Sequence, residues 1–462
     1  MNDKRFKRRA FLLGAGAAGI NAALAFETMR QSGLVLGVDE TADARKKAYQ
    51  REQLKLHTLE GCITDANGQP MTGEPSGEGA AAPVLDPSFG SICGMRTKRF
   101  GASGLRQLYE SELCYAEVPH GHGSTITTTL NGALQKAGYE FTAGFRGCVA
   151  LLDIDTGAVA ALADRPSSTE FDANNVTAET MERWNNEPNF WYPPSTTCCL
   201  QPGSVQKIID AAAIISSGIP QEYTDTGVSA TGIRNAGQAV YGGPLNVTDM
   251  LRHSINTYAA DVTCRVPGEV FSQTLDNFFF NHSLELDFGK VLRPTVNFDQ
   301  NALGSWAQIC IGHGPIQTAP LHLALIIGAC LHPEGQMIQP FMVRELTRQS
   351  GCIVQHEDGG NVLSTPLPDA GVRQQLVDAL VVTADGYHLS VPGGIVLAKT
   401  GTATIENSDR ANVFLAFALQ TARGRRFAGV FSRENVTGSS AQLKPICQEF
   451  INHILAEEEN IK

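Results

Sequence analysis

The feature that most constrains this chain is a short polar segment at the start of an apolar helix. Pro202 and Gly203 interrupt the chain, and a strongly apolar run occupies residues 208–215. Between them lies Ser204-Val205-Gln206-Lys207, the only Ser-x-x-Lys of the sequence. Positions i and i+3 share one face of a helix. The sequence therefore predicts that Ser204 and Lys207 lie side by side at a helix N-terminus.

Such a pair can work as an activated nucleophile. A serine hydroxyl needs a base within hydrogen-bond reach, and a lysine is that base when burial and nearby cations lower its pKa. The N–H groups at a helix N-terminus can also hold an oxyanion. A single Ser-x-x-Lys, however, is more often a helix cap followed by a solvated lysine. The chemical interpretation of Ser204 and Lys207 therefore depends on further motifs.

Two further motifs support the chemical interpretation. Ser254-Ile255-Asn256 is the only Ser-x-Asn of the chain, and Lys399-Thr400-Gly401 is the only Lys-Thr-Gly. We expect Ser254 just past a helix around residues 249–252, where a loop could turn its hydroxyl toward Lys207. We expect Lys399 after the apolar run 394–398, which is typical of a strand. Alone, Lys-Thr-Gly would indicate only a strand end with a turn. Together, the three motifs follow the order found in penicillin-recognising serine acyltransferases.

On these motifs the chain resembles the transpeptidase domain of a class B, monofunctional penicillin-binding protein, in the peptidoglycan D,D-transpeptidase family. The resemblance covers roughly residues 60–450. It includes a pedestal signature and the stretch after it, the segments before and within an opening β-hairpin, and a loop between the second and third motifs. These segments are residues 61–68, 100–110, 124–135, 146–161 and 312–321.

Some residues in and beside these segments depart from the family pattern. Glu60 and Ala66 stand where the pedestal signature, Arg-Gly-x-Ile-x-Asp-Arg-Asn-Gly, has its arginines. Residues 101–106 are similar to the stretch Gly-x-x-Gly-Leu-Glu that follows the signature. His313 and His322 stand where the family usually has glutamines. These departures leave the details of the pedestal and of the 312–321 loop open.

The resemblance implies an α+β fold of the penicillin-binding/serine β-lactamase-like type. Its parts are an antiparallel five-stranded sheet flanked by helices, an all-helical subdomain, a small N-terminal pedestal and a membrane segment. We expect a cytoplasmic basic tip, membrane or signal segment and stalk in residues 1–40, a reduced pedestal in 41–141 and the transpeptidase domain in 142–462. Apolar patterns predict sheet strands at residues 148–154, 158–162, 395–403, 413–419 and 426–432. They predict a terminal helix at residues 442–457.

The resemblance also implies a function, the cross-linking of peptidoglycan stem peptides. Ser204 would be the nucleophile that forms an acyl-enzyme, and Lys207 would be its base. Ser254 would relay a proton to the leaving D-alanine, and Asn256 would hold the substrate amide and Lys207. β-Lactams would acylate Ser204 in place of the stem peptide. No metal and no organic cofactor are implied.

Further roles fall on the third motif. Lys399, Thr400 and Thr402 would bind the terminal carboxylate of the substrate. Gly401 has no Cβ, so the substrate backbone could approach the strand there. The backbone N–H groups of Ser204 and Thr402 would hold the oxyanion. We also expect the charge of Lys399 to help keep Lys207 neutral by like-charge repulsion.

Other functions remain open at this point. A D,D-carboxypeptidase would use the same residues and pass the acyl group to water. A non-catalytic cell-wall synthesis scaffold would keep the fold without turnover. A serine β-lactamase would also need a water-activating group, for which the sequence has no motif.

The N-terminus predicts export from the cytoplasm. Five cations between Lys4 and Arg9 precede an apolar run over residues 10–26. This pattern fits a single-pass anchor, a cleaved signal or a twin-arginine signal. The class B resemblance favours the anchor, hence a cell-membrane location with the catalytic domain extracytoplasmic. It also implies a separate partner, a membrane glycan polymerase of the SEDS type, in division, elongation or sporulation.

Composition excludes some other partners. The net charge of −11 argues against nucleic acid. The eleven cysteines are expected to be mostly small buried residues, with a disulfide or two left open. Their spacing gives no support for zinc.

Overall fold

A computed structural model describes residues 57–167, 171–197, 199–289 and 292–461 of the protein. Thr58–Lys462 form one compact unit. The N-terminal segment predicted to be a membrane anchor lies outside the described residues. Within the described ranges, no helix combines the length and the apolar character needed to cross a bilayer.

The strands of the described residues are mostly short, apart from three long ones near the C-terminus. In chain order they are β1 (Ile63–Thr64), β2 (Arg96–Thr97), β3 (Gly101–Ala102), β4 (Thr125–Thr128), β5 (Gly147–Asp153), β6 (Val159–Arg165), β7 (Tyr223–Asp225), β8 (Gly242–Leu245), β9 (Thr295–Val296), β10 (Ile316–Gln317), β11 (Met337–Ile338), β12 (Val343–Thr347), β13 (Ile353–His356), β14 (Val362–Ser364), β15 (Ile395–Thr404), β16 (Arg410–Gln420) and β17 (Arg426–Thr437).

Most α-helices of the described residues lie between β6 and β15, with four before β5 and one after β17. In chain order they are α1 (Gly90–Cys93), α2 (Gly104–Leu108), α3 (Glu110–Leu113), α4 (Gly132–Phe141), α5 (Ala178–Asn186), α6 (Lys207–Ser217), α7 (Val247–His253), α8 (Asn256–Thr263), α9 (Gly268–Asn277), α10 (Leu303–Cys310), α11 (Pro320–Leu331), α12 (Ala370–Asp385) and α13 (Leu443–Glu457).

The predicted five-stranded antiparallel sheet is confirmed. Its order is β15-β16-β17-β5-β6, and every neighbouring pair is antiparallel. All five predicted strands and the terminal helix are present. Strands β16 and β17 run further than predicted because Arg410 pairs with Thr437, so this hairpin extends beyond the apolar centre of the sheet.

Helices cover both faces of this sheet, which explains why its strands are apolar on both sides. Along β16, Phe414 and Ala416 belong to one core, and Val413 and Leu415 belong to the other. Helices α4 and α13 pack against the second core. Helix α11 covers the first core, and all of its residues are buried, as expected for a helix that is apolar all round.

The remaining helices form the other wall of a cleft beside β15. Helix α6 contacts α7, α8 and α9, and α8 contacts α10. The 3₁₀ turn Gly203–Gln206, which precedes α6, packs directly against β15. The chain thus places the Ser-x-x-Lys segment between the helices and the edge strand of the sheet.

A second, smaller sheet connects distant parts of the chain. Its order is β1-β4-β12-β13, with β1 parallel to β4 and the other pairs antiparallel. Strands β12 and β13 come from the predicted transpeptidase domain, whereas β1 and β4 come from the predicted pedestal. The division between these domains at residues 141 and 142 stays a prediction.

The cysteines of the described residues agree with the expectation of small buried side chains. Free, buried thiols occur at Cys93, Cys148, Cys310, Cys330 and Cys447. Burial raises the pKa of Cys93 to about 12, so this thiol stays protonated. Cys199 and Cys352 are exposed and free, and Cys198 lies outside the described residues.

Candidate active site

Ser204 lies in the short 3₁₀ turn that leads into α6, and glycines make this turn possible. Gly203 adopts φ +54°, a conformation that other residues rarely adopt. Its N–H donates to the carbonyl of Gly312 at 3.0 Å. A Cβ on Gly203 would lie 2.8 Å from Thr402 N, and a Cβ on Gly312 would collide with the Gly203 carbonyl oxygen. The turn can therefore approach both the 312–314 loop and strand β15 only with glycine at these positions.

Lys207 is fully buried and contacts the proposed nucleophile directly. Its Nζ lies 2.7 Å from Ser204 Oγ and 2.8 Å from Asn256 Oδ1. Burial lowers the pKa of Lys207 to about 7, and repulsion from Lys399 contributes in the same direction. An uncharged Lys207 can accept the Ser204 proton while it donates to Asn256. Burial is thus the larger of the two predicted causes of the lowered pKa, and the repulsion from Lys399 is the smaller.

Ser254 ends helix α7 in a left-handed conformation, with φ 57° and ψ 43°. This conformation is uncommon for a residue other than glycine, and residues held in it recur at active sites. It directs the Ser254 hydroxyl to Lys399, whose Nζ lies 3.1 Å from Ser254 Oγ. Within the described residues, no hydrogen bond joins Ser254 to Lys207, the neighbour we had predicted.

Lys399 is buried within β15, the edge strand of the five-stranded sheet. Burial lowers the pKa of Lys399 to about 7, and Lys444 contributes in the same direction. Lys207 and Lys399 are therefore two buried amines in one site, and a proton on one opposes a proton on the other. A Cβ on Gly401 would lie 2.5 Å from the Pro202 carbonyl oxygen. Gly401 therefore allows the nucleophile turn, and not only a substrate, to approach the strand.

The hydroxyls of Thr400 and Thr402 are engaged by other side chains. Thr400 Oγ1 lies 3.0 Å from Tyr387 Oη, and Thr402 Oγ1 lies 3.0 Å from Ser440 Oγ. Side chains alternate along a strand, so Thr400 points to the opposite face from Lys399. Contact of either threonine with a substrate carboxylate stays a prediction.

Asn235 and Asp225 form a polar layer behind the Ser-x-Asn turn that sequence analysis missed. Asn235 Oδ1 accepts from the N–H groups of Asn256 at 2.8 Å and Thr257 at 3.1 Å. Asn235 Nδ2 donates to Asp225 Oδ2 at 2.9 Å. Burial acts to raise the pKa of Asp225, but the hydrogen bonds to its carboxylate act more strongly in the opposite direction. The pKa of Asp225 is therefore lowered. The ionised Asp225 thus holds Asn235, which in turn holds the first turn of α8. The Asp225-Thr226-Gly227 turn was the only local signal for this layer.

The two histidines that depart from the family pattern occupy different environments. His322 is buried, donates from Nε2 to the Phe278 carbonyl at 2.7 Å and accepts from Thr318 Oγ1 at 2.8 Å. Burial lowers its pKa to about 4, so it is a neutral packing residue. His313 is half-buried, lies 3.1 Å from the Ile311 carbonyl through Nδ1 and lines the cleft beside the nucleophile turn. Burial also lowers the pKa of His313.

A polar cleft of about 1050 Å³ adjoins the nucleophile turn. Its lining includes Gln201, His313 and Ala403, together with residues 404–409 where β15 leads into β16. Gln201 precedes Ser204 by three residues, and Ala403 follows Thr402 on β15. The cleft therefore lies beside the nucleophile turn, although none of the four predicted catalytic residues is among the described residues that line it.

Comparison with known families decides the assignment of the chain. Residues 147–452, well over half of the sequence, match the family described as the penicillin binding protein transpeptidase domain. The chain belongs to the penicillin-binding protein transpeptidase family. The resemblance to class B penicillin-binding proteins that the three motifs suggested is thereby confirmed.

Two curated relatives of this penicillin-binding protein are named as transpeptidases. One is a probable peptidoglycan D,D-transpeptidase FtsI of Caulobacter vibrioides, 26% identical over 291 residues that cover 60% of this chain and 44% of the relative. The other is a peptidoglycan D,D-transpeptidase FtsI homolog of Mesostigma viride, 28% identical over 311 residues that cover 60% of this chain and 51% of the relative. The chain thus spans about half the length of these relatives.

Solved structures share the fold of this penicillin-binding protein. The D,D-transpeptidase domain of a peptidoglycan glycosyltransferase from Eggerthella lenta has a TM-score of 0.75 and 20% identity, covering 87% of this chain and 99% of that one. Penicillin-binding protein A from M. tuberculosis, in an imipenem acyl-enzyme complex, has a TM-score of 0.76 and 19% identity, with the same coverage of 87% and 99%. These similarities establish the fold.

Proposed function

We propose that this penicillin-binding protein is a peptidoglycan D,D-transpeptidase that cross-links stem peptides through an acyl-enzyme on Ser204. One observation carries the proposal: a buried Lys207 lies 2.7 Å from Ser204 Oγ and 2.8 Å from Asn256 Oδ1. The pKa of Lys207, lowered to about 7 by burial, suits a base that works near neutral pH. The D,D-transpeptidase names of the curated relatives point in the same direction.

The first step of the proposed reaction acylates the enzyme. Lys207 takes the proton of Ser204, and Ser204 Oγ attacks the carbonyl carbon of the penultimate D-alanine of a stem peptide. The N–H groups of Ser204 and Thr402 hold the oxyanion. The tetrahedral intermediate then breaks its C–N bond, and the terminal D-alanine leaves with the proton that Lys207 took from Ser204, delivered through Ser254. Lys399, 3.1 Å from Ser254 Oγ, holds this hydroxyl in place and offers a positive charge to the substrate carboxylate.

The second step transfers the acyl group to a neighbouring stem. The acceptor amine attacks the ester carbon and gives up a proton, and Ser204 Oγ leaves and is protonated again. A new amide bond joins the two stems, and the enzyme is restored. The cleft of about 1050 Å³ beside the turn provides room for the peptide. A β-lactam acylates Ser204 in the same way, and its opened ring stays attached and blocks the second step.

A product assay distinguishes this activity from the alternatives. The full chain is incubated with a stem pentapeptide ending in D-Ala-D-Ala and an amine-bearing acceptor stem, and the products are measured by mass spectrometry. Cross-linked dimer with released D-alanine supports the transpeptidase. Tetrapeptide without dimer would instead support a D,D-carboxypeptidase. No release of D-alanine by folded protein would support the non-catalytic scaffold. Ser204→Ala serves as the control that lacks the nucleophile.

We also propose the cellular setting of this activity. The apolar run 10–26 would anchor the chain once in the cell membrane, and the basic residues before it would stay on the cytoplasmic side. Residues 41–141 would then form a reduced pedestal, and the catalytic domain would be extracytoplasmic. A separate glycan polymerase of the SEDS type would supply the strands to be cross-linked. The N-terminal sequence pattern and the FtsI names of the relatives support this setting. Membrane fractionation combined with protease accessibility of the folded domain tests the orientation.

A further inference from the structure

Asp210 lies one helical turn after Lys207 and has no role in the proposed acyl transfer. Its side chain is 0% exposed, and that of Gln206 is 2% exposed. Gln206 Nε2 donates to Asp210 Oδ1 at 3.3 Å. The other two oxygens of this pair, Gln206 Oε1 and Asp210 Oδ2, are buried without a hydrogen-bond partner. An unpartnered buried oxygen is unfavourable, and more so on a carboxylate.

A single proton would satisfy both of these oxygens. A protonated carboxyl group carries an O–H donor beside its carbonyl acceptor. Asp210 could then donate from Oδ2 to Gln206 Oε1 while Oδ1 accepts from Gln206 Nε2. Amides and carboxylic acids form reciprocal pairs of this kind, and an ionised Asp210 cannot, because it has no donor.

The surroundings of Asp210 favour the neutral form. The groups that face it include Lys207 on the same helix, Cys264 at the end of α8 and Cys310 at the end of α10. Lys207 Nζ is occupied by Ser204 and Asn256, and no ion pair between Lys207 and Asp210 occurs in the described part of the chain. Burial raises the pKa of Asp210 well above its ordinary value.

We propose that Asp210 is a neutral carboxylic acid that is hydrogen-bonded to Gln206. In this form Asp210 is a positioning residue, and it places no counter-ion beside the Lys207 amine. An ionised carboxylate one turn away would favour the charged form of Lys207, which cannot accept the Ser204 proton. The acid–amide pair satisfies the buried polar groups behind the nucleophile turn without adding that negative charge. The role of Lys207 rests on the proposed function, whereas the protonation state of Asp210 does not.

Infrared spectroscopy of the full chain tests the protonation state without any activity. A protonated carboxyl group has a carbonyl stretch at higher frequency than a carboxylate or an amide. We expect absorption in this range at neutral pH in the wild type and a loss of intensity there in Asp210→Asn. Asp225→Asn is the matched control, because Asp225 is also buried but accepts four hydrogen bonds as a carboxylate. A band unchanged by Asp210→Asn would overturn the proposal.

The pH dependence of acylation by a labelled penicillin tests the effect on Lys207. Asp210→Asn exchanges one neutral group for another, so the rate should change by less than about threefold and the pH midpoint by less than about 0.3. If Asp210 were ionised, removing its charge would lower the midpoint by about one pH unit or more, and the proposal would be wrong.

Two further results keep this proposal separate from the proposed function. Asp210→Leu, which leaves Gln206 unpartnered, should slow acylation by about tenfold or more, whereas Asp210→Asn should rescue it. Equal rates in the two variants would contradict the positioning role. If Ser204 is never acylated, the proposed function fails, but the infrared spectra still decide whether Asp210 carries a proton.

Discussion

Arg106 Nη2 donates to Glu60 Oε2 at 3.0 Å, and both side chains of this ion pair are only 1% exposed. The family signatures have an arginine at the position of Glu60 and a glutamate at the position of Arg106, so the two charges are exchanged here. Glu60 also pairs with Arg96 at 2.8 Å. The arginine that the family has at position 60 is therefore replaced by an ion pair of reversed charge with Arg106. Its absence gives no reason to expect an inactive scaffold.

The Glu60–Arg106 pair should be strongly coupled in its effect on stability. A double-mutant cycle with Glu60→Gln and Arg106→Met, followed by chemical denaturation, should give a coupling free energy of about 2 kcal/mol or more. The reason is that Glu60→Gln leaves the buried charge of Arg106 without a carboxylate, whereas Arg106→Met leaves Glu60 with Arg96 as its only ion-pair partner among the described residues. The exposed pair Arg423–Glu459 is the control, and no measurable coupling is expected there. Additive effects of Glu60→Gln and Arg106→Met would contradict the structural role of the pair.

Acylation of Ser204 should depend on pH through the buried amines. Burial lowers the pKa of Lys207 to about 7, and only the uncharged amine accepts the Ser204 proton. The acylation rate should therefore rise with pH toward about 7 and fall about tenfold per pH unit well below it. Because Lys399 titrates in the same range, the midpoint belongs to the pair. A rate independent of pH from 5 to 9, in measurements with labelled penicillin, would be incompatible with Lys207 as the base.

Gly312→Ala should impair the site although residue 312 has no chemical role. The added Cβ would collide with the Gly203 carbonyl oxygen and displace the nucleophile turn, so acylation should slow by about tenfold or more. Gly424→Ala is the matched control, since Gly424 also has a positive φ, +85°, but nothing lies within 4 Å of its added Cβ. That variant should lose some stability and keep its acylation rate. Equal acylation by the two variants would argue against the close packing of the turn.

Asn235→Ala should slow acylation by about tenfold or more, because the backbone N–H of Asn256 would lose the hydrogen bond to Asn235 Oδ1 that orients this residue. Asn174→Ala is the control: Asn174 makes two hydrogen bonds to the Val84 backbone, away from the described site. Thermal unfolding of both variants separates stability from activity. If Asn235→Ala lowers only the melting temperature, Asn235 has a purely structural role.

Much of the fold could be predicted because its central strands are apolar on both faces. Strand β15 begins where predicted. The outer ends of β16 and β17 were missed because polar residues such as Asn412 and Glu434 interrupt the apolar pattern there, although Ala411 and Val436 are buried. The second sheet could not be predicted, since β4 pairs with β12 across more than 200 residues without a motif. Short strands of this kind depend on tertiary contacts rather than on local propensity.

The candidate site was predictable where motifs carry the chemistry. The structure brings Ser204, Lys207 and Asn256 together, and joins Ser254 to Lys399. The layer formed by Asn235 and Asp225 was missed because it depends on a loop folding onto α8. The partners of Thr400 and Thr402 were missed as well, since Tyr387 and Ser440 come from other elements.

The most direct test of the account is covalent labelling of the full chain with a fluorescent penicillin, followed by mass spectrometry of the adduct. We expect a stable adduct on Ser204 in the wild type and none in Ser204→Ala. Lys207→Arg, which keeps the charge but cannot act as the base, should label far more slowly. Absence of an adduct on folded wild-type protein, or an adduct that persists in Ser204→Ala, would contradict the acyl-enzyme mechanism.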